Sequence, residues 1–206
     1  MKYQELKEQL KDFVVFSLND IRKIEPDFYR RRLNEWQIKG YIKKLRRGYY
    51  MFSDIPLDEK TLSLIANKLY CPSYVSFEMA LSYYGLIPEG VYSITSASSK
   101  KTTRFKTPIA EFSYHSIKPA LMFGYRLENQ NGQKYKIAEM EKALLDYLYL
   151  NPHVAGKADF YEWRFNGKEF LANADMLKLN KYAEAFRNKR LMIRLKKIIG
   201  FMKYSK

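Results

Sequence analysis

The sequence predicts an α+β fold, in which a small unit of helices and a hairpin precedes a larger unit of helices and strands. Three observations predict it. Apolar residues with helical spacing mark residues 3–40 and 138–203. Stretches rich in β-branched and aromatic residues fill much of the region between 91 and 137. Two of these stretches flank Asn131-Gly132, a strong hairpin signal, and we expect a mostly antiparallel sheet in the larger unit, followed by C-terminal helices.

The composition is that of a basic protein with enough apolar residues for a packed core. The chain has 206 residues, a formal net charge of +15 and 47% hydrophobic residues, which argues against disorder. Its single cysteine, Cys71, excludes an internal disulfide and suits a cytoplasmic location. No apolar run approaches the roughly 18 residues of a membrane span, so no membrane partner is expected.

The positive charge is concentrated at the two ends of the chain. Residues 1–53 hold 13 Lys and Arg against 7 Asp and Glu, and residues 54–186 hold 16 against 15. Residues 187–206 hold 8 basic residues and no acidic one. A polyanionic partner is therefore expected to contact the ends. The stretch Asp54 to Leu57, which contains Pro56, is the expected boundary between a domain of residues 1–53 and a domain of residues 54–206.

The first domain begins with helices that carry clear local signals. An opening helix is expected over Tyr3 to Leu10. Ser17 and Asp20 form a capping box for a helix over Leu18 to Ile24. Pro26 suits the first position of the next helix, expected over Asp27 to Lys39, and Gly40 suits its end. In that helix Tyr29, Leu33 and Trp36 share one face, which predicts that all three are buried.

The opposite face of this helix and the hairpin that follows it are basic. Strands are expected over Tyr41 to Leu45 and Tyr49 to Phe52, with Arg46, Arg47 and Gly48 turning between them. The order of these elements predicts a winged helix-turn-helix: a short helix, a second helix, a glycine and a basic hairpin. Arg pairs bidentately with guanine and Asn with adenine, while a basic hairpin holds phosphates. The predicted contacts to double-stranded promoter DNA are Arg30, Arg31, Asn34, Ile38, Lys43, Lys44, Arg46 and Arg47. Each basic run alone is more often a solvated surface.

The second domain is predicted to alternate helices with a run of strands. Helices are expected over Glu59 to Leu69, after the N-cap Ser76 as far as Gly85, over Ala138 to Leu150, over Leu179 to Phe186 and over Asn188 to Lys203. Strands are expected over Val91 to Ala97, Thr102 to Thr107, Ile109 to His115, Phe123 to Glu128 and Lys134 to Ile137. Residues 156–175 are weakly patterned.

Four ordered motifs resemble the AbiEi family of bacterial antitoxins from type IV toxin–antitoxin systems. They are the N-terminal unit ending in Leu45-Arg46-Arg47-Gly48-Tyr49-Tyr50, the Tyr74-Val75-Ser76 helix that leads to Tyr84-Gly85-Leu86-Ile87-Pro88, the run Glu141-Lys142-Ala143-Leu144-Leu145-Asp146, and the closing helical pair. The resemblance implies a transcriptional regulator whose N-terminal domain represses the toxin–antitoxin operon. It also implies a second domain that counteracts a neighbouring nucleotidyltransferase-like toxin. The alternative is a ligand-responsive regulator unrelated to a toxin.

The sequence predicts neither an enzyme nor a cofactor. Its two histidines and one cysteine are far apart, so the usual zinc site with four close ligands is not expected. Glu139, Glu141, Lys142 and Asp146 on one helix suggest ordinary surface salt bridges. The less favoured reading is a metal-dependent nuclease, for which Glu111 is the only plausible acidic partner from a strand.

The last helix is basic and amphipathic. It either lies on a membrane surface or packs its apolar face on the domain and presents its basic face to a partner, and the second arrangement is preferred. The candidate residues for this second basic surface are Lys189, Arg190, Arg194 and Lys197. The partner would be DNA or an acidic patch on the toxin.

Overall fold

The computed structural model describes residues 1–88 and 93–204, and over these residues the protein is a mixed α+β structure. A three-stranded antiparallel sheet belongs to the N-terminal unit and a six-stranded mixed sheet to the rest of the chain. The elements of the N-terminal unit are α1 (Tyr3–Gln9), β1 (Phe16–Ser17), α2 (Leu18–Ile24), α3 (Arg31–Ile38), β2 (Ile42–Arg46) and β3 (Tyr49–Phe52).

Local signals determine where α2 begins. The Ser17 hydroxyl accepts a hydrogen bond from the Asp20 amide at 3.3 Å, and the Asp20 carboxylate accepts one from the Ser17 amide at 2.9 Å. These reciprocal bonds satisfy two amides that the first turn of a helix leaves without partners. The predicted helix over Leu18 to Ile24 is confirmed at both ends.

The start of α3 differs from the prediction. Pro26 belongs to a turn in which the Phe28 amide donates to the Glu25 carbonyl, and the helix begins only at Arg31. Phe28 therefore fills the core position expected for Tyr29, whose side chain is 64% exposed. The prediction for Tyr29 was wrong because helical spacing does not apply to a residue that precedes the helix.

The rest of α3 agrees with the sequence pattern. Leu33 and Trp36 are buried, as predicted. Gly40 has a φ of 73°, and the Tyr41 amide donates to the Trp36 carbonyl at 2.9 Å. This is the helix ending that a glycine in the left-handed region allows. The chain is thereby reversed directly into β2.

The second part of the chain contains the remaining elements. Its helices are α4 (Glu59–Leu69), α5 (Phe77–Tyr83), α6 (Met140–Leu150), α7 (Lys157–Glu162), α8 (Gly167–Asn173), α9 (Met176–Ala185) and α10 (Lys189–Tyr204). Its strands are β4 (Ser73–Val75), β5 (Ser93–Ser98), β6 (Thr103–Lys106), β7 (Glu111–Ser116), β8 (Tyr125–Gln130) and β9 (Gln133–Ala138). The first residues of the strand predicted over Val91 to Ala97 lie outside the described part of the chain.

The large sheet has the strand order β6-β7-β5-β4-β9-β8 and is mixed, with antiparallel strand pairs in the majority. The pairs β5–β7 and β4–β9 are parallel, whereas β4–β5, β6–β7 and β8–β9 are antiparallel. The sequence pattern did not predict β4, a strand of three residues that pairs with both β5 and β9. The β8–β9 hairpin is confirmed, since Asn131 and Gly132 both have positive φ.

Helices cover the large sheet on both faces. On one face, the Tyr114 hydroxyl of β7 donates to the Ala66 carbonyl of α4 at 2.8 Å. On the other face, the Tyr74 hydroxyl of β4 donates to Asp146 of α6 at 2.7 Å, and Thr95 of β5 bonds to the start of α5. Helices α9 and α10 pack against α6, so they lie on the α6 side of the sheet.

The N-terminal unit has its own core but also contributes to the large one. The small core contains Phe16, Ile21, Leu33, Trp36 and their neighbours. The large core takes four buried side chains from the N-terminal unit, Val14, Val15, Leu45 and Met51, and the partly buried Tyr49 packs against it. A chain cut at residue 53 would therefore expose apolar surface in the larger part.

Across residues 1–88 and 93–204 no helix combines the length and the hydropathy needed to span a membrane.

Candidate nucleic-acid interface

The outer side of α3 is a basic and polar surface. Arg30, Arg31, Asn34 and Ile38 are all exposed, and Ile38 is exposed to 86%. Arg31, Asn34 and Ile38 lie on the side of α3 away from Leu33, which is buried in the small core, and Arg30 immediately precedes the helix. Within the described chain, the side chains of Arg30, Arg31 and Asn34 form no hydrogen bond or ion pair. These three polar groups are consequently available to an external partner.

Arg32, the third member of the Arg run, is used internally. It is half-buried, and its Nη1 donates to the Met1 carbonyl at 2.5 Å. The Met1 amino group in turn pairs with Glu25 at 3.1 Å. Arg32 thus ties the start of the chain to α3, whereas its two predecessors remain free.

The basic residues of the hairpin also divide into free and bound groups. Lys44 and Arg47 are exposed and Lys43 is half-buried, and none of the three has a hydrogen-bond or ion-pair partner for its side chain in the described part of the chain. Arg46 instead donates from Nη1 to the Leu69 carbonyl at 2.6 Å. Its guanidinium carbon also lies 4.4 Å from the centre of the Phe105 ring.

The bonds of Arg46 connect the hairpin to the larger unit. The Leu69 carbonyl is at the end of α4, where helical carbonyls lack intrahelical partners and a cation is favoured. Phe105 adds a cation–π contact. Of the four hairpin residues predicted to contact DNA, Arg46 is therefore the one that the structure uses for packing. Through this contact the hairpin lies on the same face of the large sheet as α4.

Tyr29 is the residue of this surface that the sequence pattern missed. It lies exposed beside Arg30, directly before α3, although it was expected in the core. The usable signal is Pro26, because a turn after this proline shifts the start of the helix and with it the buried face. An exposed tyrosine at a helix start can donate a hydrogen bond to a phosphate.

The second basic surface predicted on α10 needs one correction. Lys189, Arg190 and Lys197 are exposed, but Arg194 is only 8% exposed. Its guanidinium donates to the carbonyls of Leu148 and Asn151 at the end of α6 and to that of Val154 in the segment that follows. Arg194 therefore caps α6 and is not part of the basic surface, because the unpaired carbonyls of a helix end attract a cation.

A salt bridge across one turn of α6 forms as predicted, between Lys142 and Asp146, but it lies in the interior and not at the surface. The side chains of Lys142 and Asp146 are fully buried and form an ion pair. Asp146 also accepts hydrogen bonds from the Tyr74 and Ser76 hydroxyls, at 2.7 and 2.9 Å. Ser76 was expected only to cap α5, but its side chain makes no capping bond and binds Asp146 instead. We call Tyr74, Ser76, Lys142 and Asp146 the α6 cluster.

Aromatic rings complete the surroundings of the α6 cluster. The Lys142 ammonium lies 5.0 to 5.3 Å from the ring centres of Phe186, Phe123 and Tyr74. Burial lowers the pKa of Lys142 and raises the pKa of Asp146, although each charge partly offsets the shift of the other. A cluster without solvent access that uses all its polar groups internally acts as a structural element.

The hypothesis of a metal-dependent nuclease is not supported by a set of metal ligands in the described residues. Nowhere in residues 1–88 and 93–204 do three His, Cys, Asp or Glu side chains come together as a metal site needs. Glu111, the expected acidic partner from a strand, pairs with Arg104 at 3.0 Å. Glu139 accepts from the Tyr182 hydroxyl at 2.7 Å and lies 3.5 Å from the Lys178 ammonium.

A polar cleft of about 420 Å³ lies beside the N-terminus of α6, between α5, β8, α8 and α9. Its charged side chains pair largely within the protein. Arg126 binds Glu128 at 2.7 Å, and Glu141 accepts from the Asp175 amide at 2.8 Å. The cleft therefore gives no specific support to a ligand-sensing regulator.

No protein-family model matches this chain, and no curated protein matches it.

Proposed function

We propose that this protein binds double-stranded DNA through a winged helix-turn-helix formed by residues 1–53. In this proposal α3 is the recognition helix and the β2–β3 hairpin is the wing. The observation that carries the proposal is the set of unpaired, exposed polar groups at the start and on the outer side of α3: Arg30, Arg31 and Asn34. Leu33 and Trp36 hold the other side of the helix on a core, as reading a groove requires.

The chemistry of the two elements assigns them different tasks. Recognition helices contact base edges mainly with their N-terminal residues, so Arg31 and Asn34 are the base readers, directed to guanine and adenine. Arg30 precedes the helix and contacts phosphate. Lys43, Lys44 and Arg47 on the wing contact the backbone, which positions the protein without reading sequence.

A gel shift with the DNA upstream of the protein's own gene tests this function. We expect a discrete complex that survives excess nonspecific duplex, with an affinity that falls steeply as salt rises. A protein that binds this DNA no better than a scrambled duplex of the same composition would contradict the proposal of a promoter-specific regulator.

We expect the double substitution Lys44→Ala/Arg47→Ala to weaken binding to all duplexes about equally. The two cations neutralise phosphates, so the slope of log K against log salt should become shallower by about 2. Fluorescence anisotropy over a salt series measures this slope for the native promoter and for the scrambled duplex. The matched control is Lys60→Ala/Lys118→Ala, which removes two exposed lysines outside the N-terminal unit. A changed base preference with an unchanged slope would reassign the wing as a base reader.

We further propose that the regulated operon encodes a nucleotidyltransferase-like toxin, which this protein counteracts. The support is the AbiEi resemblance of four ordered motifs. The DNA-binding and antitoxin activities are expected to use different surfaces. The full-length double variant Arg30→Glu/Arg31→Glu should lose repression of a promoter reporter but still rescue cells that express the neighbouring toxin.

A full-length variant is preferable to a protein that lacks residues 1–53. Removal of these residues would also remove Val14, Val15, Leu45 and Met51 from the large core. Measurement of the reporter signal and of colony formation in the same strain separates the two activities. Loss of rescue by a variant that remains folded and abundant would show that antitoxicity depends on DNA binding.

A further inference from the structure

We propose that α10 carries a docking surface for an acidic protein segment with an apolar side. The surface consists of Lys189, Ile193, Lys196, Lys197 and Lys203, and we call it the α10 surface. This inference is independent of the proposed DNA binding. It concerns a partner that is recognised by complementary charge and by one apolar contact.

The α10 helix is held rigidly, so its outer side is a defined surface. Its inner side is buried and comprises Leu191, Leu195, Ile198 and Met202. Arg194 fastens the helix to two carbonyls at the end of α6 and to one in the segment that follows. The side chains opposite are exposed, and within the described residues the four lysines have no hydrogen-bond or ion-pair partner.

The charge of the α10 surface is not explained by folding. Lys189 of the α10 surface occupies the first turn of α10 together with the neighbouring Arg190, and this turn contains no acidic residue. Cations at this end of a helix are repelled by the helix dipole. The Asn188 side chain caps the first turn through the Leu191 amide at 3.1 Å, so the helix start does not need these charges. An external anionic group is the missing counterpart.

Ile193 gives the surface an apolar centre. It is 56% exposed and lies between two grooves of about 560 and 460 Å³. The larger groove runs between the end of α9 and the start of α10, and Met192 and Ala183 contribute to its lining. One carboxylate, Glu184, also borders it. An apolar side chain of a partner fits this groove while acidic neighbours meet the lysines.

The apolar centre favours a protein over nucleic acid. A phosphate backbone needs only cations and makes no use of an exposed isoleucine beside an apolar groove. The surface also lies on the α6 side of the sheet, whereas Arg46 holds the hairpin on the α4 side through Leu69 and Phe105. The two basic surfaces thus face different sides of the large sheet.

A membrane is the less suitable partner for the same helix. An interfacial helix inserts a broad apolar face into the lipid. The apolar face of α10 is already buried against the protein. Among the described residues of α10, Ile193 is the only large apolar side chain that is strongly exposed.

Fluorescence anisotropy with the full-length protein tests the α10 surface. The probe is a labelled helical peptide composed of Glu and Leu, with the leucines on one side. We expect the peptide to bind the wild-type protein and to bind Ile193→Ser about tenfold more weakly at about 0.5 M salt, where charge attraction is screened. Lys196→Ala/Lys197→Ala should weaken binding at low salt, whereas the control Lys118→Ala/Lys134→Ala should not.

Three outcomes would overturn the proposal. Equal binding of an all-Glu peptide, with no effect of Ile193→Ser, would show that only net charge matters. Loss of duplex-DNA binding or of phosphatidylserine-vesicle binding in Lys196→Ala/Lys197→Ala would assign the surface to that ligand. Failure of the wild-type protein to bind the peptide would remove the surface as a docking site. Ile193 is exposed, so Ile193→Ser is expected to fold normally and to keep its promoter gel shift, which separates this test from that of DNA binding.

Discussion

Replacement of Asp146 by alanine is expected to lower the free energy of unfolding by about 3–5 kcal/mol. The substitution leaves the Lys142 ammonium fully buried among aromatic rings without its counter-charge. It also removes the acceptor for the Tyr74 and Ser76 hydroxyls. A buried polar group without a partner destabilises the fold by more than the intact pair stabilises it, because the free-energy cost of removing the group from water is no longer offset.

Urea denaturation followed by circular dichroism measures this loss. The reverse single variant, Lys142→Met, should be destabilised on the same scale, because it leaves the Asp146 carboxylate unpaired. The double variant Lys142→Met/Asp146→Leu should be less destabilised than the sum of the single losses, which would reveal the coupling. As a control, Lys178→Ala breaks a partly exposed ion pair and should cost at most about 1 kcal/mol. Additive single losses would show that the ion pair contributes no coupling.

Arg31→Ala is expected to weaken binding to the native promoter by about 1–3 kcal/mol, which is roughly a fivefold to 150-fold loss. Arg31 is the first residue of α3, is exposed and forms no internal bond in the described structure. If its guanidinium pairs with a guanine, its loss should also reduce the preference for that base over the other three. The effect is therefore larger on the native site than on a scrambled duplex.

Competition gel shifts with single-base variants of the promoter measure this preference. The matched control is Arg190→Ala, which removes an exposed arginine from α10 on the other side of the sheet. The stability of Arg31→Ala should equal that of the wild type, since no internal contact is lost. An equal loss of affinity for every duplex would reassign Arg31 to phosphate contact, and an unchanged affinity would exclude α3 as the recognition helix.

Sequence patterns correctly predicted the elements that depend on a few neighbouring residues. The capping box of Ser17 and Asp20 predicted the start of α2, and Asn131-Gly132 predicted the hairpin between β8 and β9. The helix over Glu59 to Leu69 was predicted with its observed bounds. These signals succeed because caps and tight turns are satisfied within a few residues of the chain, whatever packs around them.

The wrong predictions also follow from the use of local sequence signals. The turn at Pro26 postponed the start of α3, and the spacing rule then assigned Tyr29 to the core in place of Phe28. The strand β4 has only three residues, too few for an alternating pattern to stand out. Its insertion between β5 and β9 adds the parallel pair β4–β9 to the sheet.

The role of each charged residue depends instead on how the helices and strands pack together. Arg30 and Arg31 are free while Arg32 is bound, and Arg47 is free while Arg46 packs on Phe105. Periodicity indicates which side of an element a residue occupies, but it does not show which other elements cover that side. Helix α6 is the clearest case, because α5, α9, α10 and the sheet surround it and bury Lys142 and Asp146 together. Lys142 and Asp146 are partners on one helix, but the hydroxyls of Tyr74 and Ser76 that also bind Asp146 come from distant residues. Their approach is set by the fold as a whole.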